Sequence, residues 1–318
     1  MKKILFLVNP VSGHMAGRKI KERISAELHK EMAPALYDIE FTTEDIAGQL
    51  TDACTGYGTV AVAGGDGTIS QVVQAFAGLA NKPRMGLIPI GTGNDLARSL
   101  GILQIYKSRG LRGILKVIIN AKTRPLDIIG IDNRAFFTNY FGIGIDAKIS
   151  NDFNRLRSRP LFRNICSCAL GKSFYGGLGF ANIFYRMPSD IQMRYAGNDC
   201  ADILLRVPAG ACQVLVTNIT TYAGGAKLFS KTKMDDKRFE VTVISGKKQW
   251  LIMHCTRFLR KPLNILFPKL VQFQTNRLEI TLSGKSFCQV DGEIRNDFSG
   301  TEKRLMLSVK TSLEMIVP

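Results

Sequence analysis

The chain has 318 residues, enough for two domains, and 45% of them are hydrophobic, the usual share for a protein with a buried core. Its 43 lysines and arginines outnumber its 26 acidic residues, and the net charge of +17 favours polyanionic partners such as nucleotides, nucleic acids or anionic lipid head groups. The sequence contains no run of about 18 uncharged apolar residues, so we predict no transmembrane helix and expect any membrane contact to be peripheral.

The first 130 residues alternate between patterns typical of buried strands and of amphipathic helices. Strands are predicted at residues 4–8, 36–41, 59–63 and 85–90, and helices at 20–28, 46–50 and 69–79. The run at 4–8 is too short for the apolar region of a signal peptide, and Asn9-Pro10 ends it. The order βαβαβαβ predicts a doubly wound, Rossmann-like α/β domain over residues 1–130, with a mostly parallel sheet.

After about residue 130 the pattern changes to short strands separated by turn residues. These strands are predicted at 134–144, 202–207, 213–218, 239–244, 277–282, 287–290 and 305–309. They indicate an antiparallel β-sandwich domain over residues 131–318. The predicted fold class is therefore α/β followed by all-β.

Cysteine and histidine usage bears on metal binding and on the compartment. The seven cysteines are scattered without a CxxC pair, and the chain has only three histidines. This composition argues against a zinc site and fits a reduced, cytoplasmic setting.

The strongest signal is the sequence GGDGT at residues 64–68, which lies where a buried strand ends and a helix begins. Ligands of open α/β sheets bind at the carboxyl ends of strands, and glycines there let backbone N–H groups approach phosphates. Asp66 would be an odd neighbour of bare phosphates, but it makes sense if it holds Mg²⁺ against them. A tight βα turn without a ligand is the alternative interpretation.

Two further turns follow strands of the same predicted sheet. They are NPVSG at residues 9–13, after the first strand, and PIGTGND at residues 89–95, after the fourth. Each could be an ordinary turn, but the ends of parallel strands emerge along one edge, so the three turns are predicted to line one nucleotide cleft. The sequence GxxxxGK[ST] is absent, so the chain is not a P-loop enzyme.

Two acidic segments stand out in the second half. QVDGE at residues 289–293 ends a strand, where a carboxylate can accept a hydroxyl proton during phosphoryl transfer. An Asp-Gly hairpin turn is the simpler alternative there. Asp235-Asp236 fits either a solvated turn or a cation site.

Together these motifs resemble the catalytic region of the diacylglycerol kinase family over nearly the whole chain. The matching segments are NPVSG (9–13), GGDGT (64–68), PIGTGND (89–95), PLD (125–127), NYFGIGIDA (139–147), NITTYAGGAK (218–227), KMDDKRF (233–239) and QVDGE (289–293). GGDGT is shared with NAD kinases and phosphofructokinases, whereas PxGTGND, NxxxxxGG and VDGE together look specific to lipid kinases. The resemblance implies an α/β domain, a β-sandwich, an active site in the cleft between them, and a C-terminal tail that can return to the first domain.

The resemblance also implies roles for individual residues. The residues implied to contact ATP are Asn9, Pro10, Val11, Ser12, Gly13, Thr43, Gly65, Asp66, Gly67, Thr68, Ile69, Ser70, Gln71 and Thr92. Asp66, Asp95 and Asp127 are implied to organise the metal ion and the phosphates. Glu293 is implied to be the general base.

A structural Mg²⁺ is implied at Asp236, with backbone oxygens near Lys233 and Arg238 as further ligands. The chain departs from the family pattern near this site. Lys237 stands where a glycine often follows the second Asp of the DD pair, and residues 222–225 read YAGG where GGG is usual.

The implied reaction transfers the γ-phosphoryl group of ATP to a lipid hydroxyl, with Mg²⁺ as cofactor. Diacylglycerol is the favoured acceptor and phosphatidic acid the product. A sphingoid or other lipid kinase of the same fold and a soluble NAD kinase-like enzyme are the enzymatic alternatives. A lipid- or nucleotide-binding protein without turnover is the non-enzymatic one, and the presence of Asp66, Asp95 and Glu293 speaks against it. A nucleic-acid partner is not expected because the chain contains no recognised motif for one.

Two basic, apolar segments are predicted to dock the protein on the anionic inner face of the membrane. Their basic residues are Arg155, Arg157, Arg159, Arg163 and Lys172 in the first, and Lys247, Lys248, Arg257, Arg260, Lys261, Lys269 and Arg277 in the second. The apolar residues between them are Leu161, Phe162, Trp250, Leu251, Phe258, Leu266 and Phe267. Such segments bind anionic lipid, although the same pattern also fits core residues flanked by basic side chains that reach water.

Overall fold

A computed structural model describes residues 2–15, 17–53, 55–159, 177–179, 181–188, 190–197, 202–230, 232–259, 261–282, 284, 286–298 and 303–318. The strands are, in chain order, β1 (Lys3–Val8), β2 (Tyr37–Phe41), β3 (Tyr57–Gly64), β4 (Arg84–Pro89), β5 (Thr123–Ile131), β6 (Ala135–Phe137), β7 (Tyr140–Gly144), β8 (Ile191–Ala196), β9 (Asp202–Arg206), β10 (Gln213–Thr217), β11 (Phe239–Ile244), β12 (Val271–Thr275), β13 (Arg277–Leu282), β14 (Cys288–Val290), β15 (Glu293–Ile294) and β16 (Lys303–Ile316). The helices are α1 (Ser12–Met15), α2 (Gly17–Glu31), α3 (Ile46–Ala53), α4 (Asp66–Ala77), α5 (Asp95–Ser99), α6 (Ile102–Asn120), α7 (Ile145–Arg157), α8 (Lys247–Leu259) and α9 (Leu263–Leu266).

The first four strands form a parallel sheet in the order β2-β1-β3-β4. Strands β1 and β3 are almost continuously buried, which is why both read as unbroken apolar runs. Helices α2 and α6 contact each other, as do α3 and α4, and their apolar stripes share one core with the strands. This arrangement confirms the predicted doubly wound α/β sheet, so the carboxyl ends of its parallel strands lie along one edge.

Strand β16 links the two halves of the chain. It pairs antiparallel with β5 and β13, and near its end Met315 pairs with Met85 of β4 in the parallel direction. The large sheet therefore has the order β2-β1-β3-β4-β16-β13-β8-β9, with β5 paired to β16 and β6 paired to β5. The C-terminal residues thus lie in the same sheet as the parallel strands.

The second sheet is antiparallel and has the order β12-β11-β10-β7-β14-β15. Its buried side chains include Phe141 and Val241, which share a core with Ile280 and Leu307 of the large sheet. Two packed layers with a common core form a β-sandwich, which confirms the prediction for the second half of the chain.

Helices α7 and α8 lie between strands of the second half and are absent from the predicted strand pattern. Ile145 and Ile149 of α7 share a core with Trp250 and Met253 of α8 and with side chains of the small sheet. In α7 the polar residues Asp146 and Ser150 are buried beside Ile145 and Ile149, so the sequence shows no clean apolar stripe that would mark a helix. Within the described part of the chain, none of the helices has both the length and the hydropathy needed to span a bilayer.

Strands β8 and β12 are not among those predicted from the sequence, and two of the predicted strands have clearly different boundaries. The predicted run at 134–144 is divided into β6 and β7, because the backbone N–H groups of residues 138–140 turn toward the carboxylate of Asp291. The predicted strand at 305–309 is part of the 14-residue strand β16. The second half of β16 lacks a clear alternation of apolar and polar residues, but its pairing with β5 holds it in the sheet.

Candidate active site

The GGDGT and PIGTGND turns touch at the edge of the parallel sheet. Strand β3 ends at Gly64 and α4 begins at Asp66, with Gly65 between them as the N-cap residue. A Cβ atom on Gly91 would lie 2.3 Å from the Cα atom of Gly65, so the backbones are too close for a side chain there. Glycine at this contact brings the two predicted nucleotide turns together.

Asp66, at the first position of α4, joins the two turns. Its carboxylate accepts the backbone N–H of Asn94 at 2.7 Å and that of Asp95 at 3.0 Å. Burial raises the pKa of this carboxyl, and the backbone hydrogen bonds oppose that rise. The negative charge is therefore held in place by backbone dipoles, at the position where the sequence predicts a metal ligand.

Asp95, at the start of α5, is a buried carboxylate beside the half-buried Asp66. It is only 2% exposed, and both of its oxygens accept the backbone N–H of Gly224, at 3.0 and 2.9 Å. The Nε atom of Arg98 lies 3.8 Å away. Burial raises the pKa of Asp95 to about 6, and repulsion from Asp66 adds to the rise. The two carboxylates thus sit close together with only partial neutralisation.

The NPVSG turn lies beside the GGDGT turn. The Nδ2 atom of Asn9 donates to Oγ1 of Thr68 at 2.7 Å, and the Asn9 backbone N–H donates to Ala63 of β3 at 2.9 Å. The Oδ1 atom of Asn9 accepts the N–H of Val11, whose side chain is 61% exposed. Pro10, Ser12 and Gly13 are half-buried around it. All three predicted turns therefore meet at one edge.

The remaining residues predicted to contact ATP divide into two groups. Thr43, after β2, and Gln71 and Thr92 have exposed side chains. Ile69 and Ser70 are buried along α4, and Ile69 belongs to the core of the first half. The side chain of Ile69 is thus used for packing, since it points into the protein.

Glu293 of the small sheet lies against the GGDGT turn. A Cβ atom on Gly67 would be 3.3 Å from the Oε1 atom of Glu293, and the Glu293 side chain is exposed. The preceding Asp291 and Gly292 have φ angles of +48° and +90°, as in a tight hairpin turn between β14 and β15. The VDGE segment therefore forms a hairpin turn and also places a carboxylate beside the GGDGT turn, so both sequence interpretations of the segment apply.

Asp291 is a buried residue of this turn, and no role for it is predicted from the sequence. Its carboxylate accepts the backbone N–H groups of Asn139 at 3.1 Å and Tyr140 at 2.9 Å. Burial raises the pKa of this carboxyl to about 7, against the lowering effect of those hydrogen bonds. An Asp before Gly is too common in turns for its sequence to reveal this buried role. The bonds fix the turn that carries Glu293.

Asp127 makes its contacts elsewhere. It is fully buried on β5, and its carboxylate binds the ammonium and backbone N–H of Lys237 and the hydroxyl of Ser312. Asp236 accepts the backbone N–H of Arg238 at 3.1 Å, and Lys233 is exposed. Among the residues that the structure describes, no three His, Cys, Asp or Glu side chains are grouped as metal ligands.

A cavity of about 450 Å³ opens beside Asp95. It is lined by Arg98, Thr220, Thr221, Gly224, Gly225, Lys227 and Phe258. Arg98 donates to the carbonyl of Gly93 at 3.1 Å, and Thr221 donates to that of Asp95 at 3.3 Å. No motif in the sequence points to Arg98 or Thr221; the only hint is that Arg98 follows Asp95 by about one helical turn. The lining suits an anionic group flanked by an apolar one.

The comparisons with known proteins agree with this architecture. The family model "Diacylglycerol kinase catalytic domain" matches residues 3–131, and "Diacylglycerol kinase accessory domain" matches residues 136–294. A diacylglycerol kinase of Bacillus subtilis (strain 168) is 26% identical over 303 residues, covering 92% of this chain and 90% of the relative. One of Staphylococcus aureus (strain MRSA252) is 24% identical over 327 residues, covering 100% of this chain and 93% of the relative.

A solved structure supports the same fold. The crystal structure of a diacylglycerol kinase from Bacillus anthracis str. Sterne matches with a TM-score of 0.71 at 21% identity, covering 100% of this chain and 97% of that chain. The two family models together span most of the chain. The chain therefore belongs to the diacylglycerol kinase family and is a lipid kinase, a transferase with ATP as phosphoryl donor and an alcohol as acceptor.

Proposed function

We propose that this protein phosphorylates the free hydroxyl of diacylglycerol to phosphatidic acid, with Glu293 as the general base. The observation that carries the proposal is the position of Glu293 Oε1, 3.3 Å from where a Cβ on Gly67 would stand. A carboxylate of the small sheet therefore lies beside the first turn of α4. An acceptor hydroxyl bound at this carboxylate would lie next to the turn that is proposed to bind the phosphates, so both the base and the γ-phosphoryl group would be within its reach.

In the proposed step, the carboxylate of Glu293 takes the proton of the lipid hydroxyl. The hydroxyl oxygen forms a bond to the γ-phosphorus, the bond between that phosphorus and the bridging oxygen breaks, and ADP leaves. The protein contributes mainly positioning and charge neutralisation, because phosphoryl transfer needs little covalent help. The glycine-rich turns supply backbone N–H groups, and Arg98 supplies a fixed positive charge beside the acidic pair.

The acidic residues fit a catalytic Mg²⁺. Asp95 is buried and Asp66 half-buried, their pKa values are raised, and the charge of Asp66 contributes to the raised pKa of Asp95. Two such carboxylates are stabilised by a cation, and Mg²⁺ in kinases is commonly held by one or two carboxylates plus phosphates. When bound, the ion would neutralise negative charge on the phosphates. Asp127 is proposed to support the site indirectly, because its bonds to Lys237 and Ser312 hold neighbouring parts of the chain together.

We also propose that the two parts of the chain bind different substrates: residues 1–130 bind ATP and residues 131–318 bind the lipid. The pairing of β16 with β4 supports a fixed relation between the two parts. Glu293 and Gly224, both from the second part, contact residues of the first, so the proposed site requires both parts.

The lipid is proposed to enter from an anionic membrane surface. Among the exposed large apolar residues are Phe258 at 72%, Leu259 at 50% and Ile265 at 56%, on α8 and α9. Phe258 also lines the cavity beside Asp95, so this apolar patch adjoins the proposed site. The exposed lysines nearby in sequence are Lys247, Lys248 and Lys261.

Other members of the predicted docking segments behave differently. Trp250 is only 7% exposed and belongs to the core between α7 and α8, so it fits the alternative of a packed side chain. Arg155 and Arg159 are exposed at the end of α7 and just beyond it. Leu161, Phe162, Arg163, Lys172 and Arg260 lie outside the described residues.

The substrate is tested by supplying radiolabelled ATP and Mg²⁺ with a panel of acceptors in mixed vesicles: diacylglycerol, monoacylglycerol, sphingosine and, in solution, NAD. We expect labelled phosphatidic acid as the main product, formed at least tenfold faster than any other. Preferential labelling of sphingosine or NAD would overturn the assignment of the acceptor. If no acceptor is labelled, the proposal that this protein catalyses phosphoryl transfer to these acceptors would be wrong.

A further inference from the structure

The segment 233–238, here called the DD loop, is joined to β5 by two ion pairs of opposite polarity. Arg124 of β5 donates two hydrogen bonds, of 3.0 and 3.1 Å, to the carboxylate of Asp235. In the other direction, Lys237 of the loop places its ammonium 2.6 Å from Oδ1 of Asp127 on β5. Strand and loop each contribute one acid and one base, so the junction is electrically balanced.

Asp127 needs a positive partner because its carboxylate is fully buried. A buried charge is costly unless it is paired and hydrogen-bonded. The backbone N–H of Lys237 donates to Oδ2 at 2.7 Å, and Ser312 of β16 donates to Oδ1 at 3.0 Å. The ammonium of Lys237 contacts Ser312 as well. One lysine therefore ties the loop to two neighbouring strands.

The backbone of Lys237 supports a specific role for this side chain. Its φ angle is +61°, in the left-handed region that disfavours residues with a Cβ atom. Glycine, which often stands here in the resembled family, adopts this conformation without strain. A lysine here adopts a less favourable backbone conformation than glycine would. In return, both its backbone N–H and its ammonium bind Asp127.

The same loop is where the family resemblance implies a structural Mg²⁺, at Asp236. In this chain Oδ1 of Asp236 accepts the N–H of Arg238, and the adjacent residue carries an ammonium that repels a divalent cation. We propose that the ammonium of Lys237 replaces the structural cation, so that the DD loop is held on β5 without a metal. This inference concerns the integrity of the loop and goes beyond the Mg²⁺ proposed for the nucleotide site.

The first test measures the melting temperature of the full chain without nucleotide, in EDTA and in Mg²⁺, for the wild type and for Asp236→Ala. The expected result is that the wild type shows no response to EDTA, or only a response that Asp236→Ala leaves unchanged. A response that Asp236→Ala leaves unchanged would come from Mg²⁺ bound at Asp66 and Asp95. A wild-type response to EDTA that Asp236→Ala abolishes would overturn the proposal.

The second test compares Lys237→Met with Lys310→Met, which makes the same change at an exposed lysine of β16. Lys237→Met is expected to lower the melting temperature in EDTA by several degrees, because it removes the positively charged partner of the buried Asp127, and Lys310→Met should have little effect. Adding Asp127→Asn should restore much of the loss. Equal melting temperatures for the two lysine variants would contradict the proposal, and if Lys237→Met fails to fold, the EDTA comparison on the wild type decides it.

Discussion

The carboxylate of Asp66 accepts the backbone N–H of Asp95 at 3.0 Å, so the first residue of α4 holds the first residue of α5. Asp95 in turn accepts the N–H of Gly224 with both carboxylate oxygens. A series of carboxylate-to-backbone bonds therefore connects the GGDGT turn, the PIGTGND turn and the YAGG segment. A change at either carboxylate is expected to displace a turn as well as remove a charge.

We expect Asp66→Asn to lower turnover by roughly 10²–10³-fold, the usual effect of losing one preorganised electrostatic group. The amide can accept only one of the two N–H groups, from Asn94 or Asp95, and it lacks the charge that attracts a metal ion. Initial rates on diacylglycerol vesicles measure the effect, and circular dichroism checks that the variant is folded. Near-normal turnover in a folded variant would rule out the metal role of Asp66.

We expect Glu293→Gln to lower kcat by roughly 10²–10⁴-fold with little change in KM for ATP, because a general base contributes by this factor to the chemical step. The side chain is exposed, so the melting temperature should not change. Glu22→Gln, at an exposed glutamate of α2, is the matched control and should retain full activity. If Glu293→Gln weakens ATP binding at normal kcat, the residue binds nucleotide and is not the base.

The part of the site that is proposed to bind the nucleotide follows from local sequence patterns, because a buried strand, a glycine turn and a helix are consecutive in the chain. The approach of Glu293 to Gly67 depends on how the two sheets pack, and no local pattern contains that information. Asp127 illustrates the same limit: it reads as a ligand in a motif, but its partner Lys237 comes 110 residues later. Trp250 shows the reverse, since a residue typical of membrane interfaces is used here in a core.

We expect Glu240→Gln to stabilise the protein increasingly as the pH rises from 5 to 8. Burial first, with a contribution from Asp236, raises the pKa of the Glu240 carboxyl from 4.5 to about 8. In the unfolded chain this group ionises near pH 4.5, whereas in the folded protein it stays protonated until about pH 8. Its favourable contribution is therefore complete below pH 4.5 and is lost as the pH rises through that window.

The measurement for Glu240 is the difference in melting temperature between Glu240→Gln and the wild type at pH 5, 6.5 and 8. Other titrating groups, such as Asp291, are common to both proteins and cancel in the difference. Glu22→Gln, which changes an exposed glutamate, should give a difference that does not vary with pH. A constant difference for Glu240→Gln would show that this carboxyl is ionised in the folded protein across the whole range.

The proposed membrane contact predicts separate effects for apolar and basic side chains. Ile265→Ser should weaken binding to all vesicles, because it removes apolar area from the patch on α8 and α9. Leu204→Ser is the matched control: Leu204 is 56% exposed, as is Ile265, but lies on the edge strand β9. Co-sedimentation with vesicles measures both variants. If both variants lose vesicle binding equally, the apolar patch on α8 and α9 is not the specific membrane contact.

The combined change of Lys247, Lys248 and Lys261 to Gln should weaken binding only where the vesicles are anionic. Each lysine near an anionic surface contributes about 1 kcal/mol, so the triple variant should lose on the order of 10²-fold in affinity at low salt. The loss should shrink as salt is raised, since exposed charges are screened within about 10 Å at 0.1 M. Turnover on a short-chain diacylglycerol in neutral detergent should be unchanged, because these side chains are not part of the proposed active site. Binding that is insensitive to both salt and anionic lipid would exclude an electrostatic docking surface on α8 and α9.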